Sequence, residues 1–427
     1  MSMLLFSGAG DVLTSYNVII ASSVIIILSF FFTQISQKTN IPSVLMLIVL
    51  GMILKVGLDA SGTAFDFFPI LQLLGIIGLI MIVLEAALEL KLEKEKTVPI
   101  LLAMGLALIG LLVSAFIAKA ILQYFIADMT SQQAWVYATP LSILSSAIII
   151  PSVSGLRSDK KEFHIYESTF SDIFGIMMFY FLVGNMESET GGTGVVGFTT
   201  NLILTIVISL IASYAIIIIF QNIKTHVKLF LLIAILLLLY AIGKKLHLSS
   251  LIIILIFGLL IANMELFFSG KLRRFLNYRK AKHIYDELHT ITLETAFVVR
   301  TFFFVIFGIT ITLSSLFDGG VAIVSLLIIA SIYLIRYTML RATVGKDILP
   351  QVYVAPRGLI TILLFYAIPE SLQLKTFNSG ILLFVIIATS IIMTIAMIAD
   401  KRRSNKAIDQ AQSTDVGYVK WRAKGME

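Results

Sequence analysis

Glu167-Ser168-Thr169-Phe170-Ser171-Asp172-Ile173-Phe174-Gly175, followed by the apolar run Ile176 to Val183, decides how this chain is read. The stretch is long and oily enough to cross a bilayer, yet it carries a carboxylate, Asp172, at its centre. An ionisable side chain at membrane depth is expensive, so it marks an ion or proton site unless neighbouring helices hold it for packing alone. Ser168, Ser171 and Asp172 stand at i, i+3 and i+4, which places three oxygen-bearing side chains on one helical face. Oxygen ligands suit a hard monovalent cation, and a proton competes for the same carboxylate. Glu167 lies five residues earlier, about 140° around the helix, and so faces elsewhere.

Composition places the whole chain in the same class. It is 58% hydrophobic and 13% charged over 427 residues, too little polar surface to cover a water-soluble fold of that size. With no Cys there is no disulfide, thiolate chemistry or Cys metal site. The five His form no HExxH pair, and no P-loop, dinucleotide fingerprint or nucleophile elbow is present. An enzyme is therefore disfavoured, and no cofactor is implied. The net charge of +7 does not point to nucleic acid, because the basic residues sit in loops between apolar spans. Met1 to Tyr16 lacks a basic start and a small-residue cleavage site, so it does not read as a cleavable signal.

A membrane helix needs roughly 20 apolar residues. Thirteen stretches qualify as candidates, at about 17–33, 41–57, 69–90, 98–125, 135–156, 163–186, 195–220, 227–246, 249–268, 288–314, 319–343, 350–370 and 378–400. The expected fold is an all-α polytopic membrane protein, with a transmembrane domain over 1–400 and a short polar tail over 401–427. One alternate set of loops holds Lys38, Lys91, Lys94, Lys96, Arg157, Lys160, Lys161, the basic cluster from Lys271 to Lys282, and the tail. The opposite set holds only Lys55, Lys244, Lys245 and Lys375. The positive-inside rule then puts the N-terminus outside and the C-terminus in the cytoplasm. The 271–287 loop, with Phe275, Tyr278 and Tyr285 among its basic residues, has the composition to lie on anionic lipid, although fixing topology is the plainer role.

Thirteen spans divide as six, a linker and six, which would make two inverted six-helix repeats. The fifth span of each repeat, the fifth and twelfth of the chain, carries an interruption: Ala147-Ile148-Ile149-Ile150-Pro151-Ser152 in one, Ala355-Pro356-Arg357-Gly358 in the other. Proline removes a backbone donor and clashes with the preceding turn, so breaks or kinks are expected at Pro151 and at Pro356–Gly358.

Several fragments, in order, resemble the monovalent cation–proton antiporter superfamily, nearest its NhaP-type branch. They are Ile41-Pro42-Ser43-Val44-Leu45 with Leu50-Gly51, Leu84-Glu85-Ala86-Ala87-Leu88-Glu89-Leu90, Tyr166 to Gly175, Arg300-Thr301-Phe302-Phe303-Phe304 with Gly308, Arg336, and Arg357-Gly358-Leu359. The resemblance implies that Asp172 binds Na+ (or another monovalent cation, Li+ or K+) in exchange for H+, with Ser171 and Ser168 beside it. It also implies a homodimer in a bacterial-type plasma membrane. Two departures stand out. Ser171-Asp172 replaces the usual Asn-Asp or Asp-Asp pair, and Ile149-Ile150-Pro151 replaces Thr-Asp-Pro, leaving Thr139, Ser142, Ser145 and Ser146 as the hydroxyls of that helix. They supply cation oxygens or permit close helix packing.

A single titrating carboxylate implies electroneutral one-for-one exchange. Relatives pair a Glu at the position of Glu167 with the Arg at that of Arg336. Arg300 has Glu167, Glu85 or Glu294 as candidate partners, all as structural clamps. Arg357 is placed to offset helix-end dipoles. The missing polar pair keeps two other readings open: a non-coupled channel or sensor on the same scaffold, and a proton-coupled symporter or anion carrier using Arg300 or Arg357.

Overall fold

The computed structural model describes residues 15–39, 41–60, 67–92, 96–187, 194–221, 223, 228–245, 250–267, 278–311, 318–345, 347–374 and 376–413. Lys94, Lys346, Lys375, the loop basics Lys271 to Arg274, and Trp421 with the rest of 414–427 lie outside the described residues. All regular structure among the described residues is helical.

The helices are α1 (Ser15–Thr39), α2 (Ser43–Ala60), α3 (Phe68–Glu89), α4 (Thr97–Phe125), α5 (Ser131–Ser142), α6 (Ser146–Ser152), α7 (Ser158–Glu187), α8 (Gly194–Phe220), α9 (Lys228–Lys245), α10 (Ser250–Ala262), α11 (Met264–Phe267), α12 (Tyr278–Thr310), α13 (Gly319–Thr343), α14 (Leu359–Tyr366) and α15 (Gly380–Ser413). Each expected span overlies one helix or an interrupted pair. Nine stretches among the described residues are long and apolar enough to cross a membrane by themselves, and two shorter apolar helices cover 229–243 and 250–262. Length and composition alone thus mark nine crossings and two shorter candidates among the described residues. α14 has only eight residues, because its span is interrupted, and α7 is long but carries the polar run around Asp172. Large apolar side chains stand exposed along α1, α4, α8 and α13, among them Ile27, Phe116, Ile211 and Leu334, as lipid-facing surfaces require.

Local chemistry sets several helix ends. Thr130 begins α5 with a capping box: its hydroxyl accepts from the Gln133 N–H, and the Gln133 side chain accepts from the Thr130 N–H. Asp318 caps α13 through the N–H groups of Gly320 and Val321. The end of α3 is held by three side chains. Asn263 donates to Leu90 O and accepts from Leu92 N–H, Tyr166 donates to Lys91 O, and Tyr285 donates to Leu88 O.

Packing divides the helices into two bundles. In one, α12 lies along α2 and α3, and α10 packs on α3, α8 and α9. In the other, α4 packs on α5, α7 and α13, with α6 on α7, α14 on α5, and α15 on α13. The α2–α12 crossing is so close that a Cβ on Gly51 would collide with Val305 O, and one on Gly308 with Ile48 O. Such backbone proximity is what small residues permit in membrane bundles.

Candidate functional site

The fifth span is interrupted at Ile143–Ser145, ahead of the expected Pro151. Pro151 sits inside α6, as Pro140 sits inside α5. The break falls where backbone donors find partners on other elements: Leu144 N–H donates to Ser171 Oγ at 3.0 Å, and Ser145 N–H donates to Pro356 O at 3.0 Å. Two N–H groups held outside the helix ladder outweigh the one donor that proline removes. The other break runs from Val354 to Gly358, between a short 3-10 turn (Gln351–Tyr353) and α14, and contains Pro356 as expected. The two breaks cross: a Cβ on Gly358 would stand 2.6 Å from both Ser145 Oγ and Ile148 Cδ1.

Arg357 closes the back of this crossing. Its Nε donates to Leu141 O at 2.8 Å, in the last turn of α5, and its backbone N–H donates to Thr389 Oγ1 at 3.1 Å. A guanidinium at a helix C-terminus offsets the negative end of the dipole, the placement its position in the sequence suggested.

Asp172 lies on the other side. It is buried on α7, and neither carboxylate oxygen has a hydrogen-bond partner among the described residues. The hydroxyl and backbone N–H of Ser146 are the polar groups that act on it, short of a properly formed hydrogen bond. It borders a gap of about 10 Å³ whose other walls are apolar, including Ile82 and Ala86 of α3, Leu251 and Leu255 of α10, and Ile360 of α14. The lone carboxylate thus sits on the face of one bundle that meets the other. An unsatisfied, buried carboxylate is the costliest arrangement of this side chain unless something neutralises it.

A larger cavity, about 240 Å³, ends at Ser146 and Ala147. Its walls are largely apolar but carry the polar side chains of Ser29, Thr33, Glu85, Glu89, Arg300 and Thr301. Arg300 pairs with Glu85 at 3.1 Å, and Ser29 and Thr301 share a hydrogen bond of 2.6 Å. Of the three partners considered for Arg300, Glu85 is the one in contact. Glu294 stands exposed on α12, and Glu167 is taken by Arg336. That last pair is bidentate: Arg336 donates from two nitrogens to the two Glu167 oxygens, both at 2.9 Å, while its Nε donates to Gln351 O at 2.8 Å.

The remaining expected hydroxyls are distributed unevenly. Ser168 donates to His164 O, Thr139 to Trp135 O and Ser142 to Ala138 O, each back-bonding its own helix. Ser145 Oγ is buried without a partner among the described residues. Ser146 alone of the set is brought to Asp172, and Ser171 acts as the acceptor that pins the break. Sequence reasoning passed over Ser29, Thr33 and Ser36, whose spacing along an otherwise apolar span was the available signal. It also passed over His164, buried against the Glu167–Arg336 pair.

Against known proteins, residues 24–401 match the model of the sodium/hydrogen exchanger, transmembrane family. The chain belongs to the sodium/hydrogen exchanger family. Among curated proteins none matches it. Among solved structures it is similar to the sodium proton antiporter MjNhaP1 from Methanocaldococcus jannaschii at pH 8, with a TM-score of 0.66 and 19% identity, covering 89% of this chain and 95% of that one. An electron-microscopy map of the same antiporter gives a TM-score of 0.65 at 19% identity, over 96% and 100% of the two chains. At that identity the likeness is one of fold. The exchanger is accordingly an integral membrane transporter of cations and protons, not an enzyme, and its family needs no cofactor.

Proposed function

We propose that this exchanger carries one monovalent cation, Na+ in preference to Li+ or K+, against one proton by alternating access around Asp172. The observation that carries the reading is the isolated carboxylate facing an apolar wall on the seam between two bundles. A proton or a dehydrated cation neutralises it, and only the neutral site passes the apolar wall at low cost. Empty return would move a bare charge, so exchange is coupled. One titrating carboxylate gives no net charge movement. Arg300 cannot add a second proton step, because a guanidinium stays protonated. Ser146 and Ser171 are the hydroxyls that accompany Asp172, and Glu167, Arg336, Arg300 and Glu85 serve as clamps.

Four markers border the large cavity: Ser36 and Ser43 flank the Lys38 turn, Glu89 precedes Lys91, and Pro151 precedes Arg157. All adjoin the basic loops that the positive-inside rule assigns to the cytoplasm. The conformation is therefore read as inward-open, with 1–400 as the transport domain, thirteen crossings in two inverted repeats, the 401–427 tail inside, and a homodimer in a plasma membrane as the working assembly.

The test is proton movement in sealed liposomes reported by an internal pH dye, with Na+, Li+ and K+ added in turn. Cation-evoked proton flux that Asp172→Asn abolishes is the expected result, and its rate should not respond to membrane potential. Absence of flux with every cation would overturn the reading.

A further inference from the structure

Among the described residues, no carboxylate meets the charge of Arg357. Its Nε and Nη1 donate to the carbonyls of Leu141 and Ala355, at 2.8 and 3.3 Å, and carbonyls offer only partial charge. Glu167 is the one carboxylate that acts on it electrostatically, but both Glu167 oxygens are engaged by Arg336. Arg357, Arg336 and Glu167 line a common cavity of about 40 Å³ with Ser114, Ser142 and Ser171. Two guanidiniums against one carboxylate leave that wall with an excess positive charge. A buried charge without a partner is costly, and the cost falls when a counter-charge is supplied.

We propose that this cavity binds a small monovalent anion of the chloride class, which neutralises Arg357 inside the bundle. The volume admits a halide and excludes a large organic anion. Donors are at hand. The Ser114 hydroxyl closes no hydrogen bond in the described structure, and Ser171, whose oxygen accepts from Leu144 N–H, keeps its own hydrogen to give. Ser142 has already donated to Ala138 O and adds none. The rest of the wall is apolar, from side chains such as Leu106, Leu111 and Ile332, so the anion meets Arg357 in a medium where the attraction is strong. The bordering elements, α4, α5, α7, α13 and the 355–357 segment, all belong to one bundle, and none of the cavity's lining residues borders the gap at Asp172. The anion cavity is therefore distinct from the gap at Asp172, and Ser171, the residue before Asp172, is the link between the two sites.

Purified full-length protein in detergent is compared by thermal scan in sodium chloride, bromide and gluconate at equal Na+ and ionic strength. A halide that binds the folded state alone raises Tm saturably. The expected result is a rise with chloride and bromide, none with gluconate, and bromide density beside Arg357 in a structure of the bromide form. Ser114→Asp puts a carboxylate in the cavity, so it should reach the halide Tm in gluconate and lose the halide response. Ser114→Ala should need more halide for the same rise. Equal Tm in chloride and gluconate would overturn the proposal. A halide response untouched by either Ser114 substitution, or bromide density elsewhere only, would overturn it as well.

Discussion

Ser145 N–H donates to Pro356 O at 3.0 Å, so the two extended breaks are bonded to each other. In a bilayer this is how irregular backbone survives: each freed polar group is met by protein. The bond ties the conformation of the fifth span to that of the twelfth, and both to the carboxylate beside Ser146.

Gly358 makes that contact possible, since a Cβ there would press on Ser145 Oγ and Ile148 Cδ1 at 2.6 Å. Gly358→Ala is expected to force the breaks apart at a cost of about 1–3 kcal/mol. A lower Tm together with a slower exchange rate in liposomes would register it; an unchanged rate would show that the crossing does not position the site.

Arg336→Gln should be among the most damaging single changes. It strands Glu167 as a buried charge, a loss of about 3–5 kcal/mol. The double variant with Glu167→Gln removes both charges and should recover a large part of that loss. A thermal double-mutant cycle measures the coupling, and simple additivity would count against the clamp.

Ser171→Ala removes the acceptor for Leu144 N–H without touching a charge. An orphaned buried donor costs about 1–3 kcal/mol. The expected signature is lower thermal stability with cation-evoked flux retained, whereas a change in which cation is preferred would assign Ser171 to the ion's own shell.

Arg300→Gln leaves Glu85 and Glu89 unopposed in the large cavity. At a pH high enough to keep both carboxylates ionised, the more negative vestibule concentrates cations, so the apparent KM for the cation should fall at low ionic strength and converge with wild type as salt rises. Flux titrations at two salt concentrations decide it.

Protons and cations compete for one carboxylate in the proposed cycle. Lowering pH on the cation-loading side should therefore raise the cation concentration needed for half-maximal flux while leaving the limiting flux at saturating cation little changed. Titrations of flux against cation at several pH values test this, and a pH-independent half-maximum would sink single-site competition.

Much of this protein was written into the order of its residues. Apolar runs of about 20 residues dictate membrane helices because unpaired backbone cannot face lipid. The uneven spread of basic loops is the ground for the sidedness proposed above, and Asp172 announces itself as a charge where charge is expensive. Position along α7 also sends Glu167 away from Asp172, since five residues turn a helix by about 140°. Other features needed the folded chain. The sequence points to a break at Pro151, where a proline is visible, but the fold sets it at Ile143–Ser145, because Ser171 Oγ and Pro356 O are acceptors supplied by elements far along the chain. The partner of Arg300 was open among three carboxylates until packing of α12 on α3 brought Glu85 within 3.1 Å. The excess charge at Arg357 is likewise a tertiary fact. Local sequence sets what each helix carries, but which charges meet and which are left alone is decided only when separate helices share one low-dielectric interior.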